Sequence, residues 1–118
     1  MKFIISLLLL LFVQSSYATT YYISPAGNDA SGTGSIGNPW KSLYKATSVA
    51  NTVGDIIHVT AGNYLETVRC NLALGVSIEG EGADVSIIRS TLNAQFVAII
   101  IAISPEGTNG NQHISNIR

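Results

Sequence analysis

Gly75–Ser90 reads GVSIEGEGADVSIIRS: a short β-branched run, a glycine-acid turn, and a second β-branched run. Gly54–Cys70, GDIIHVTAGNYLETVRC, has the same plan: DIIHV, a turn at AGNY, then LETVRC. The two strand–turn–strand units recur at roughly 20 residues, within the period range of solenoid proteins. FVAIIIAIS (Phe96–Ser104) falls one period further on, EGTNGNQ is a turn-rich connection, and HISNIR (His113–Arg118) begins one more strand. Each strand is too short to bury its apolar side chains alone, so the pattern predicts stacked parallel strands about 4.8 Å apart. Val59, Ile78 and a residue near Ile100 are expected to form one inward column, and Val68 with Ile88 a second. The Phe96–Ile103 run is apolar on both faces. It is expected inside the stack or under the flanking loop.

Glycines after a strand also occur in phosphate-binding loops. Glu79–Asp84, EGEGAD, fails as a dinucleotide fingerprint because Val85 stands at the third glycine position and no helix pattern follows. It matches a calcium β-roll repeat only in part, since tandem copies are missing and Ser86 stands where a large apolar residue is wanted. Gly80 and Gly82 are therefore read as turn residues, adopting backbone angles closed to other side chains.

Upstream, Tyr21–Ser24 reads as a strand. Pro25–Pro39 is a loop rich in Gly, Ser and Asn, where Asn28 and Asp29 are expected to make side-chain turns. Asn38 as cap and Pro39 in the first turn predict one short amphipathic helix ending near Asn51. At the start of the chain, Lys2 precedes an apolar run from Phe3 to Val13 broken by Ser6, followed by Gln14–Ala18 with small residues at Ser16 and Ala18. This is the pattern of a secretory signal peptide cleaved after Ala18. The run is shorter than the roughly 20 residues of a membrane span. The organisation expected is a signal peptide over 1–18, a strand, loop and capping helix over 19–54, and stacked strands over 55–118. Localisation is expected to be secreted or at the cell surface.

Charge excludes one partner class. The chain carries 6 Lys and Arg against 7 Asp and Glu, with no basic cluster of the kind nucleic acid requires. Cys70 is the single cysteine. No internal disulfide can form, and Cys70 is expected buried on the inner side of the second strand row, two residues from Val68.

The segments YYISPAGND, GTGSIGNPWKSLYKA, GDIIHVTAGNYLETV and GVSIEGEGADVSIIRS together resemble the N-terminal part of secreted right-handed parallel β-helix proteins of the pectate-lyase-like superfamily. The resemblance covers Thr20–Arg118. It implies an all-β fold, a right-handed parallel β-helix of which only the first coils are present, closed at its N-terminal end by the strand at Tyr21–Ile23 and the short helix. It implies that the chain is a truncated or N-terminal piece. The superfamily includes polysaccharide lyases, hydrolases, epimerases and surface proteins, with catalytic residues on later coils. Its pectate lyases use a Lys or Arg base and calcium-binding Asp residues. No set here matches those roles, so no catalytic residue, metal site or cofactor is assigned to this chain, although calcium belongs to the full-length family.

The weak binding candidates are His58, Arg69 and Arg89. Alternation sends His58 outward, beside Ser77 of the next coil. Arg69 and Arg89 lie one period apart and are expected side by side, able to hold the carboxylate of an acidic sugar. Glu79, Glu81 and Asp84 are read as solvated, and Tyr21, Tyr22, Tyr44 and Tyr64 as exposed rings available for stacking. The functional expectation is a carbohydrate-associated exported protein, non-catalytic by itself, with an extracellular acidic polysaccharide as partner. The alternative is the front of a polysaccharide lyase or glycoside hydrolase.

Overall fold

The computed structural model describes residues 17–92 and 98–118. The signal-peptide assignment therefore lies outside the described residues except for Tyr17 and Ala18, as does the start of the Phe96–Ile103 run. The order of elements is β1 (Thr20–Ile23), α1 (Leu43–Val49), β2 (Ile56–Val59), β3 (Gly62–Glu66), β4 (Cys70–Leu72), β5 (Ser77–Gly80), β6 (Ser86–Ser90), β7 (Ile100–Ala102) and β8 (Ile114–Ser115).

Every pairing between these described strands is parallel. One sheet has the order β1-β2-β5-β8, and two smaller sheets pair β3 with β6 and β4 with β7. Among the described residues the fold is thus mostly strands in parallel sheets with one short helix. Successive triplets, β2-β3-β4 and then β5-β6-β7, pair member by member. This is the recurrence that the two quoted segments carry in sequence.

The registers revise the expected columns. Ile57 faces Ile78, which faces Ile114. Val59 lies between Ile23 and Gly80. Ile100 pairs with Cys70, not with the Ile78 column. Ile57, Val59 and Ile78 are fully buried. Their alternation with His58 and Glu79 puts one face of the sheet in the core and the other toward solvent.

LETVRC is not one strand. The chain breaks it at Thr67–Arg69, so GNYLE and CNL belong to different sheets. Val68, expected inside, is 47% exposed at this corner, whereas Cys70 is fully buried as expected. AGNY is not a turn either, because Gly62 to Tyr64 already belong to β3.

The helix starts later than Asn38-Pro39 suggested. Asn38 closes a short turn, accepting from Thr33 and Gly34 and donating to Ser35. Ser42 is the true N-cap, its hydroxyl accepting from the Lys45 amide at 3.0 Å. Leu43, Ala46, Thr47 and Ala50 are buried. That is the i, i+3, i+4, i+7 stripe of a helix lying on a core.

Trp40 is only 5% exposed and stacks on Tyr21 with ring centroids 5.3 Å apart. The Gly32–Trp40 loop wraps it. Its indole N–H donates to Gly32 at 2.9 Å. Gly34, at φ 75°, passes so close that an added Cβ would lie 2.7 Å from the ring, which is why this position needs glycine.

Gly80 corrects a second expectation. It is an ordinary strand residue, and what excludes a side chain there is the Asn116 carbonyl passing over it. Gly82, at φ 153°, donates to that same carbonyl at 3.0 Å. Gly82 turns the chain under the next strand, as expected, whereas Gly80 is the last residue of β5 and its glycine is required by proximity and not by backbone angle.

Candidate surface on the four-stranded sheet

The outward row across the four-stranded sheet is Tyr22, His58, Glu79 and Ser115, in register from β1 to β8. His58 does face outward. Its neighbour on β5 is Glu79, not Ser77, which pairs with Ile56. The Tyr22 and His58 rings lie 5.3 Å apart, tilted by 47°. Together they form a small aromatic platform beside carboxylates.

His58 Nε2 lies 3.3 Å from Glu81 Oε1, with side chains 28% and 42% exposed. Glu81 is not simply solvated. Its Oε2 accepts the Ala61 amide at 2.8 Å, so the carboxylate closes the β2–β3 corner from the β5–β6 corner. That amide, and then His58, hold its carboxyl below the ordinary 4.5. The same corner is tied by the buried Ser86 hydroxyl, which donates to Val59 and accepts the Glu81 amide, both at 2.9 Å.

The two arginines do not meet. Arg89 lies on β6 opposite Leu65. Arg69 lies in the corner between β3 and β4. Arg69 instead joins Tyr44, Ser48 and Asn71 around a shallow depression of about 170 Å³. The expected carboxylate clamp is absent for a simple reason: the β5–β6 connection, residues 81–85, is longer than the β2–β3 connection, residues 60–61, so β6 pairs with β3 in a register that sets Arg89 opposite Leu65.

Among the proposed stacking rings, Tyr44 is 48% exposed and Tyr64 only 3%. The Tyr64 hydroxyl donates to Ile23 at 3.0 Å and lies 3.0 Å from the Thr60 hydroxyl. Burial pushes that phenol up from 10.0.

A larger cleft, about 470 Å³, opens between the Pro25–Ser42 loop and β3, lined by Asp29, Lys41, Ser42, Asn63 and Glu66 among others. Its carboxylates are committed to the start of α1. Asp29 Oδ1 accepts the Lys41 and Ser42 amides at 2.8 and 3.0 Å. Burial opposes its ionisation, but the hydrogen bonds from Ser42 and Lys41 and the nearby Lys45 charge outweigh it, and its carboxyl sits below 3.8. Glu66, 2% exposed, accepts the Leu43 amide at 2.6 Å and the Tyr44 amide at 3.3 Å. Together with Ser42, these groups satisfy the amides a helix start leaves open.

Glu66 carries no local signal in the sequence, because its partners lie 23 and 22 residues away. Cys70 Sγ lies 3.9 Å from Glu66 Oε2. Burial first, and then the Glu66 charge, push the thiol up to about 12.

Among the described residues, no three His, Cys, Asp or Glu side chains gather as metal ligands, and no helix is long and apolar enough to cross a membrane. Comparison of the chain with models of protein families, with curated proteins and with solved structures finds no match.

Proposed function

We propose that this chain forms the N-terminal turns of an exported right-handed parallel β-helix, that the outer face of its four-stranded sheet binds polysaccharide, and that it does so without cleaving it. The observation that carries this reading is the in-register row Tyr22–His58–Glu79–Ser115, which runs across four parallel strands. A sugar chain needs ring faces to stack on and hydrogen-bonding groups at a fixed spacing. Parallel strands supply both at intervals of about 4.8 Å. The member-by-member pairing of β2-β3-β4 with β5-β6-β7 supports the β-helix.

Glu79 and Glu81 make this face acidic, so it suits a neutral sugar chain. An acidic glycan has a different anchor. Arg69 beside the half-exposed Tyr44 offers a cation and a ring in one depression, and this favours a second, separate mode for uronate chains.

The test is affinity electrophoresis of the full chain in gels carrying a soluble neutral β-glucan, galactomannan, pectate or alginate. Retardation by a neutral glycan that falls in Tyr22→Ala and His58→Ala supports the first mode. Retardation by pectate or alginate that falls in Arg69→Ala, and not in Arg89→Ala, supports the second. Migration unchanged by every glycan rejects both. Unsaturated products absorbing in the ultraviolet would reject the non-catalytic reading.

A further inference from the structure

Asp55 is 2% exposed, yet it belongs to neither ion pair formed among the described residues, His58–Glu81 and Arg118–Asp84. Its Oδ1 accepts the Thr19 amide at 2.8 Å and its Oδ2 the Thr52 amide at 3.0 Å. A carboxylate out of water is costly without an opposite charge. The backbone nitrogen that touches it belongs to the residue immediately after Ala18, where the small-residue pair Ser16 and Ala18 marks a leader-peptidase site. Tyr17 is 81% exposed, so the junction lies at the surface.

We propose that the chain is hydrolysed between Ala18 and Thr19 and that the freed α-ammonium of Thr19 becomes the counter-charge of buried Asp55. A leader peptidase adds water across the Ala18–Thr19 peptide bond. The carbonyl carbon of Ala18 takes the hydroxyl and leaves as a carboxylate. The Thr19 nitrogen keeps the electrons of the broken bond, takes two protons, one from water and one from the new acid, and becomes an ammonium.

The nitrogen is held from the C-terminal side. The Thr19 carbonyl accepts the Ile56 amide at 3.0 Å, and Thr20 pairs with Ile56 in the β1–β2 register. Asp55 itself is fixed from the other side by its amide, which donates to Thr52 at 2.9 Å. Removing residues 1–18 thus leaves the contact in place and changes a hydrogen bond with one charged partner into one with two. Processing would then do more than release the chain. It would complete the electrostatics of the β1–β2 edge and favour the folded form of the processed chain.

The test uses the full chain exported from a secreting bacterial host, with N-terminal sequencing and intact mass of the product. A start at Thr19 is expected; a start at any other residue, or retention of the leader, overturns the proposal. The α-amine of the product is then reductively methylated at pH 7, native and in urea. Pairing with Asp55 keeps it protonated, so native modification should be at least about tenfold slower, one pKa unit corresponding to tenfold. A native rate within twofold of the unfolded rate overturns the pairing. Asp55→Asn should abolish most of the protection. Where that variant fails to fold, insertion of one Ser after Ala18 serves instead. It leaves the Thr19 amide hydrogen bond as it stands here and moves the charge one residue away. Its α-amine should react at the unfolded rate, and protection that survives the insertion overturns the proposal.

Discussion

The two ends of the strand stack obey one pairing rule and differ in what covers them. At the β1 end, Ile23 and Leu43 are fully buried and Trp40 is 5% exposed beneath the wrapping loop and α1. At the β7–β8 end, Ile103 is 49% exposed and Ile114 47%. Parallel pairing reaches both ends, over four residues between β1 and β2 and two between β5 and β8, but pairing does not by itself bury side chains. Burial comes from the helix and loop, and these are held in place by acceptors for the helix-start amides: Asp29, Ser42 and Glu66. Stability should therefore be graded along the stack.

The largest expected effect is on Cys70, which lies beneath the covered end against Glu66. With its thiol pushed up to about 12 from the ordinary 9.0, the thiolate fraction falls on the order of a hundred- to a thousandfold. Native labelling by a disulfide reagent should be slower than in urea by at least that factor. Fast native labelling would mean that the cover opens readily, and the contrast between the ends would collapse.

Next comes a matched pair in one column. Ile78→Ala should cost about 2–5 kcal/mol, because Ile78 is fully buried between Ile57 and Ile114. Ile114→Ala, at the exposed end of that column, should cost about 1 kcal/mol or less. Urea denaturation of both variants measures the ratio, and equal costs would show that β8 is covered in solution.

Glu66→Ala should cost about 1–3 kcal/mol. It strips acceptors from the Leu43 and Tyr44 amides, and an unsatisfied buried donor keeps its desolvation penalty. Far-ultraviolet dichroism with urea denaturation checks it. A neutral outcome would mean that Asp29 and Ser42 suffice to hold α1.

The smallest effect is that of Glu81 on the sheet face. Its folded-state carboxyl lies below the ordinary 4.5. Its contribution to stability is therefore fully present above about 4.5 and is lost as pH falls through the lower folded value. In Glu81→Gln this part of the acid dependence should vanish, leaving stability near neutral pH slightly reduced. Parallel pH–stability curves for the two proteins test the sign.

Much of this arrangement was legible in the residues. DIIHV, GVSI and VSIIRS declare strands by β-branching and alternation, and their recurrence announces the parallel stack. The corner at Thr67–Arg69 was not legible, because LETVRC alternates like one strand and carries neither glycine nor proline to mark the bend. That omission misplaced Val68, whereas Arg69 and Arg89 were brought together on paper by an even spacing of the units that the longer β5–β6 connection breaks. Asn38-Pro39 imitates a helix start, but the amides of residues 41–45 find their acceptors at Asp29, Ser42 and Glu66. Two of those three are distant in sequence, and no local pattern can announce them. His58 could be placed outward by alternation alone, while its partner Glu81 depends on how one corner folds onto the next.

Trp40 is the only tryptophan in the chain, and it lies wholly within the covered end. Its fluorescence is consequently a local gauge. Emission should be blue-shifted while the Gly32–Trp40 loop stays closed and should move to the red when that loop peels away. Dichroism averages over every strand, so the two optical signals observe different territory. If the far end frays first, ellipticity will fall while the tryptophan still emits as a buried ring, and the temperature gap between the two traces will measure how independently the ends of the stack melt.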